Sequence, residues 1–385
     1  MNHNLEKLKG SASMEFMQKA EGMKNSGKFV LSLAGGEPDF DTPKKVSDMS
    51  NQAICEGDTH YAIGKGILPL RKKIAEKLKN ENGINCGADD IIVTPGGKYG
   101  IYMAINAVIN PGDEVIIFNP AWVSYGPMVE ACGGQPVFVQ LDYEKNYVLE
   151  EDKIVEKITN RTKAIVINYP NNPTGKILSL EEAQMLARVI KKYNLILISD
   201  EVYEKIVFDG KVNVSPASIE DIHDQVITIN GFSKAFAMTG WRLGYTVACK
   251  ELTDVMYKLY VHTITGTSPF IQRAAAVAFD CKEDVQAMIN EYERRRNYFI
   301  EQINSIEGIS CRMPEGAFYA WVKFETDQPA HIIAEQLLEK TGIVGVPGNS
   351  YGEYDTTCVR FSFATKIEIL EKAVEMLKQW KNNIF

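Results

Sequence analysis

IIVTPGGKYGIYMA (residues 91–104) joins an apolar, β-branched run to a helical run through two glycines. Read outward, it is a strand, a tight turn and a helix start, whose unpaired N–H groups and dipole face any bound anion. Glycine is also an ordinary helix cap, so the stretch gains meaning from its neighbours. Four further runs share its first half: DEVIIF (113–118), KAIVIN (163–168), LILISD (195–200) and QVITIN (225–230). Helical patterns lie between several of them. The clearest is SLEEAQMLARVIKKYN (179–194), where Ser179 and Glu182 spell a capping box and Ala183, Leu186, Ala187 and Ile190 line one face. Strand alternating with helix predicts an α/β fold, a largely parallel sheet covered on both sides.

The end of the chain reads differently. A long charged helix spans EDVQAMINEYERRRNYFIEQI (283–303), followed by short strands near AFYAWVKF (317–324) and CVRFSFA (358–364) and a closing helix. The expected organisation is an N-terminal arm over 1–40 packed on a smaller domain, a large domain over 41–280 and a small α+β domain over 281–385. With 42 Lys and Arg against 50 Asp and Glu the chain is mildly acidic, which argues against nucleic acid as a partner. No run approaches a membrane span and the N-terminus has no signal-like apolar core, so a cytoplasmic protein is expected. Seven scattered cysteines and five unclustered histidines predict reduced thiols and no metal site. Gly22 to Lys28 nearly spells a P-loop, but Phe29 replaces the Ser or Thr that the motif needs.

In parallel sheets, ligands bind beyond the carboxyl ends of the strands. The residues there carry chemistry: Gly96, Gly97 and Lys98 after the first run, Trp122 after the second, Asn172 after the third, Asp200 and Tyr203 after the fourth, Ser233 and Lys234 after the fifth. Lys234 sits among small and aromatic residues in GFSKAFAMTGWRLGY (231–245), a setting that can desolvate an amine as imine chemistry requires. Arg242 on the same segment offers a planar fork for a phosphate. Taken singly, each has a plain alternative: a solvated lysine, a surface arginine, a strand-end acid, a core tryptophan, a turn asparagine. Five such residues after successive strands are hard to assign to chance.

Seven motifs in order, AGGEPDF (34–40), PGGK (95–98), NPAWVSY (119–125), NNPTG (171–175), SDEVY (199–203), SKAFAMTGWRLGY (233–245) and VRFSFAT (359–365), resemble the class I aminotransferases of the pyridoxal-phosphate fold type I superfamily. The resemblance spans nearly the whole chain. It implies a mostly parallel seven-stranded sheet between helices and pyridoxal 5'-phosphate as cofactor, held by Lys234 as an aldimine. It further implies that Lys234 shuttles the substrate Cα proton and that Asp200 keeps the pyridine nitrogen protonated. Tyr203 and Asn172 would bond the phenolic oxygen, and Trp122 would stack on the ring. Gly97, the Lys98 backbone, Ser233 and Arg242 would hold the phosphate, joined by Tyr61 of HYAIGKG (60–66) from a second subunit, so a homodimer is implied. Arg360 would clamp the substrate α-carboxylate with the backbone of Gly36. Strand alternation agrees, placing Cys358, Arg360 and Ser362 on one side and Val359, Phe361 and Phe363 toward the core.

Lys98 occupies the place where some bacterial aspartate aminotransferases of this subgroup pair the distal carboxylate, while GTSPF (266–270) lacks the arginine that animal-type enzymes use. An amino acid, aspartate or glutamate, and a 2-oxo acid such as 2-oxoglutarate are therefore the expected substrates. Two departures stand out: Gly231 where many relatives have Ser, and Tyr99-Gly100 after the lysine, with Tyr99 able to narrow or redirect the side-chain pocket. Aromatic or prephenate transamination is the alternative, as is a lyase, cyclase or oxidase reaction on the same cofactor. A regulator built on such a domain would need a DNA-binding module, for which no basic N-terminal segment is seen.

Overall fold

The structure, a computed structural model, describes residues 6, 8, 10, 12–62, 64–352 and 356–381. Of the expected N-terminal arm, residues 1–5, 7, 9 and 11 lie outside the described residues. All five apolar runs are strands, in register with their sequence reading: β2 (Ile91–Thr94), β3 (Glu114–Asn119), β5 (Thr162–Asn168), β6 (Ile196–Asp200) and β7 (Val226–Gly231). With β4 (Gln135–Gln140) and β8 (Gly244–Val247) they form one seven-stranded sheet in the order β2-β8-β7-β6-β5-β3-β4. Strands β3 to β7 pair in parallel, and β8 alone runs antiparallel to both its neighbours. The chain leaves β3 for β4 on one side and returns to β5 on the other. That switch opens a crevice beyond the carboxyl ends of β3 and β5.

Alternation along each strand separates two apolar layers. Ile91, Val93, Ile116, Ile165, Ile167 and Leu197 pack on one face of the sheet. Ile92, Val115, Ile117, Val166, Ile198 and Ile229 pack on the other, against the helices Gly97–Val108 and Lys250–Thr263. The helix Leu180–Tyr193 begins with the expected box, Glu182 N–H donating to Ser179 Oγ at 3.2 Å and Ser179 N–H to Glu182 Oε2 at 3.3 Å. It ends at Asn194 in the left-handed conformation, φ 50°, a position that asparagine tolerates.

A second sheet joins β9 (Ile309–Cys311), β10 (Tyr319–Phe324), β12 (Val346–Pro347) and β13 (Cys358–Ser362) in the order β12-β13-β10-β9. The helices Lys282–Asn304, Ala330–Thr341 and Ile367–Lys381 cover it, sharing a core of Phe299, Leu337, Phe361, Phe363 and Leu377. The N-terminal helix Ala12–Asn25 leads into β1 (Leu31–Ser32), which pairs in parallel with β11 (Ile343–Val344). Next, Leu33 O accepts from Ser362 N–H at 2.6 Å. This tie brings Ala34 to Gly36 beside β13. Among the described residues, no helix is long and apolar enough to cross a membrane.

Candidate active site

The crevice is built from strand ends. Asp200 closes β6, 4% exposed, and accepts the Tyr125 hydroxyl on Oδ2 at 2.6 Å and Val202 N–H on Oδ1 at 3.4 Å. Burial pushes its carboxyl up to about 6, with the Tyr125 bond, then the Val202 bond and then the Lys234 charge opposing that rise. Lys234 follows β7, half-buried, with its Nζ donating to Gly36 O. The amine lies 5.6 Å from the Tyr203 ring centre and 5.7 Å from that of Phe318. Burial, and next the Arg360 charge, lower its pKa to about 8, and the two rings beside it come from outside the motif that carries it.

Arg360 is not an exposed strand charge. It is 6% exposed, with Nη1 donating to Asn172 Oδ1 at 3.0 Å and Nη2 to Ala34 O at 2.7 Å, over the Tyr319 ring at 4.2 Å. Its Nε has no partner among the described residues. Asn172 is in turn fixed from the end of β5: its N–H reaches Asn168 Oδ1 at 2.9 Å, and Asn168 Nδ2 donates to Asp200 O at 2.9 Å. Tyr203 places its hydroxyl 2.8 Å from that of Tyr319. One polar network therefore links Asp200, Asn172, Arg360, Tyr319 and Tyr203.

At the other end of the crevice, the helix Gly97–Val108 starts after Gly96, whose φ of 85° is open to glycine at no cost. A Cβ on Gly96 would lie 2.7 Å from Arg242 Nη2, and one on Gly244 would lie 2.6 Å from Gly97 N. The helix start, β8 and the Arg242 guanidinium are thus packed as closely as backbones allow. Lys98 is exposed, 4.9 Å from the Trp122 ring centre, and burial of its amine and then the Arg242 charge lower its pKa. The Arg242 guanidinium and a helix N-terminus face one place, an arrangement that favours an anion. Ser233, half-buried, opens the turn before Lys234, where Ser233 O accepts Met238 N–H.

Tyr61 stands apart, 86% exposed, in a hollow lined also by Thr59, Thr267 and Phe270. Tyr99 points away from Lys98: its hydroxyl contacts Thr263 Oγ1 and its ring packs 6.4 Å from Tyr260. At Gly231, a Cβ would lie 3.0 Å from Gly244 Cα and 3.1 Å from Leu243 O, a tight fit against β8. Sequence reasoning missed Tyr125, Tyr319 and Asn168. Tyr125 and Asn168 were within reach, because they end NPAWVSY and KAIVIN, but only the folded chain aims them at Asp200. Tyr319 carried no signal beyond strand alternation.

A phosphorylated aromatic cofactor suits this crevice: an anion site at one end, a buried acid at the other, a desolvated amine between them, and a buried guanidinium with an unused donor. The chain belongs to the class I and II aminotransferases, the family whose model matches residues 28–377. It is a pyridoxal-phosphate-dependent transaminase of fold type I. The aspartate/prephenate aminotransferase of Thermus thermophilus is 36% identical over 379 residues, 97% of either chain. An aromatic-amino-acid aminotransferase of Thermococcus litoralis is 36% identical, over 98% of this chain and 97% of its own length. The solved structure of Thermus thermophilus aspartate aminotransferase with maleate has a TM-score of 0.94 at 35% identity, covering 99% of both chains.

Proposed function

We propose that this transaminase acts on acidic amino acids, L-aspartate or L-glutamate, with a 2-oxo acid such as 2-oxoglutarate as acceptor. When bound, pyridoxal phosphate supplies an electron sink conjugated to the substrate Cα. Lys234 carries the cofactor and then moves the proton at Cα, a task suited to an amine with a pKa near 8. Asp200 holds the pyridine nitrogen, and Tyr125 keeps the acid ionised and aimed. Tyr203 and Asn172 bond the ring's phenolic oxygen, while Trp122 covers one face. Gly97, the Lys98 backbone, Ser233 and Arg242 hold the phosphate.

Arg360 takes the substrate α-carboxylate with the backbone of Gly36. The observation that carries this reading is the buried Arg360 guanidinium with its unpartnered Nε, tied by Asn172 to the strand that bears Asp200. Lys98 takes the distal carboxylate. Two observations support an acidic substrate: Tyr99 is drawn off to Thr263, leaving Lys98 beside Trp122, and a structural neighbour was solved with maleate, a dicarboxylate.

The exposed Tyr61 fits a cytoplasmic homodimer in which the partner subunit's Tyr61 reaches the phosphate. The division at residues 40 and 280 fits a large cofactor domain and a smaller one that carries Arg360. Absorbance spectroscopy of the cofactor-loaded protein tests the substrate reading. L-aspartate or L-glutamate alone should convert the yellow form to the pyridoxamine form. Conversion by aromatic amino acids only would move the substrate to the aromatic or prephenate class named by other relatives. Release of ammonia or peroxide with the cofactor unchanged would make another reaction the physiological one.

A further inference from the structure

Glu201, the middle residue of SDEVY, has no part in the roles assigned above. Its N–H donates to Ile229 O at 2.8 Å, continuing the β6–β7 ladder, so its side chain leaves on the sheet face opposite Asp200. There it is 1% exposed. Oε1 accepts Ser199 Oγ at 2.9 Å and Ser215 Oγ at 2.8 Å, while Oε2 has no partner among the described residues. The Thr228 hydroxyl, opposite Ser199 across the ladder, is also unpartnered.

The surrounding charges are already matched. Lys77 Nζ bonds Glu204 and, at 2.7 Å, Asn82 Oδ1, and Lys205 bonds Glu81. Tyr245 and Cys86 approach from the neighbouring elements and add no positive charge. Glu201 is therefore a buried acid with a like-charged neighbour in Glu204 and no cation of its own, an environment that disfavours its ionised form. Glu201 O also accepts Glu204 N–H at 2.9 Å, closing the turn that carries Tyr203.

We propose that Glu201 is a positioning residue that works as a neutral acid: pinned by Ser199 and Ser215, it fixes the turn that aims Asp200 and Tyr203 into the crevice. The inference rests on the roles of Asp200 and Tyr203 given above. Burial, and next the Glu204 charge, push the Glu201 carboxyl from its ordinary 4.5 to about 8. A group held above its unfolded value favours the folded state at low pH, and that advantage fades as pH rises through the folded pKa. Above it, an unpaired charge sits at the root of the turn.

The test compares wild type, Glu201→Gln and Glu201→Ala. Apo-protein melting temperature is followed from about pH 5 to 9, and pyridoxal phosphate affinity is measured near pH 7 and 9. Gln mimics the neutral acid, so it should bind cofactor as wild type does near pH 7. It should also lose less melting temperature and several-fold less affinity at alkaline pH. Ala should bind several-fold more weakly at both. Gln as damaging as Ala near pH 7, or Gln and wild type declining in parallel with pH, would overturn the proposal. Wild-type protein that binds no cofactor through Lys234 would instead contradict the function proposed above, and the apo melting series would still decide whether Glu201 is neutral.

Discussion

Arg360 donates Nη1 to Asn172 Oδ1 at 3.0 Å, and this bond ties β13 of the four-stranded sheet to the loop after β5 of the seven-stranded one. The guanidinium is thereby oriented before any carboxylate arrives, by a residue that is itself fixed through Asn168 to the strand carrying Asp200. Preorganised donors of this kind spare the reaction the cost of aligning them.

Replacing Arg360 by Lys keeps a charge but loses the fork. The expected result is a fall in kcat/KM of roughly 30-fold or more, as for a buried charged contact worth about 2–5 kcal/mol. Replacing it by Met also removes the cation that, after burial, most lowers the Lys234 pKa. Lys234 needs its neutral form to bond the cofactor carbonyl, so capture by apo-protein should rise with pH through about 8, and the midpoint should move upward in R360M. Stopped-flow capture against pH reads this directly.

Burial raises the Asp200 pKa and the Tyr125 bond opposes it, leaving the carboxyl at about 6. The ionised acid is the form that holds a protonated pyridine nitrogen, so cofactor affinity should fall as pH drops through 6. Tyr125→Phe should weaken affinity near neutral pH by roughly tenfold or more, the range for hydrogen bonds to charged groups, and shift the acid limb upward. An unchanged limb would show that Tyr125 only packs.

On the proposed reading, substrate choice turns on Lys98. In Lys98→Ala, KM for L-aspartate should rise by about tenfold while that for L-phenylalanine stays constant, because only the former has a second carboxylate to pair. Equal changes would assign the specificity elsewhere.

Much of this was legible in the chain. Five strands and the capped helix followed from period and caps, because local pattern decides them. The antiparallel β8 was not, since its first two residues, Gly244 and Tyr245, close a motif read for chemistry and strand direction depends on pairing partners. At the site, strand-end position pointed to Asp200, Asn172 and Lys234; the structure links the first two through Asn168 and sets the Lys234 amine beside the Tyr203 ring. Tyr319 lies 147 residues after Asn172 in sequence, so its link to Arg360 and Tyr203 is a product of long-range packing.

The exposed Tyr61 allows a test of a shared site. Tyr61→Ala and Lys234→Ala proteins, each impaired alone, should regain activity when unfolded and refolded together, approaching about a quarter of wild type, because a mixed C2 dimer contains one intact site. No recovery, with mixed dimers shown by mass, would place Tyr61 outside the partner's site.

The most direct measurement is borohydride reduction of the pyridoxal-phosphate-loaded protein followed by peptide mapping. The cofactor should be found on Lys234 and on no other lysine, with labelling abolished in Lys234→Ala. Cofactor fixed instead on Lys98, whose amine shares the crevice, or retained in full by Lys234→Ala, would contradict the account.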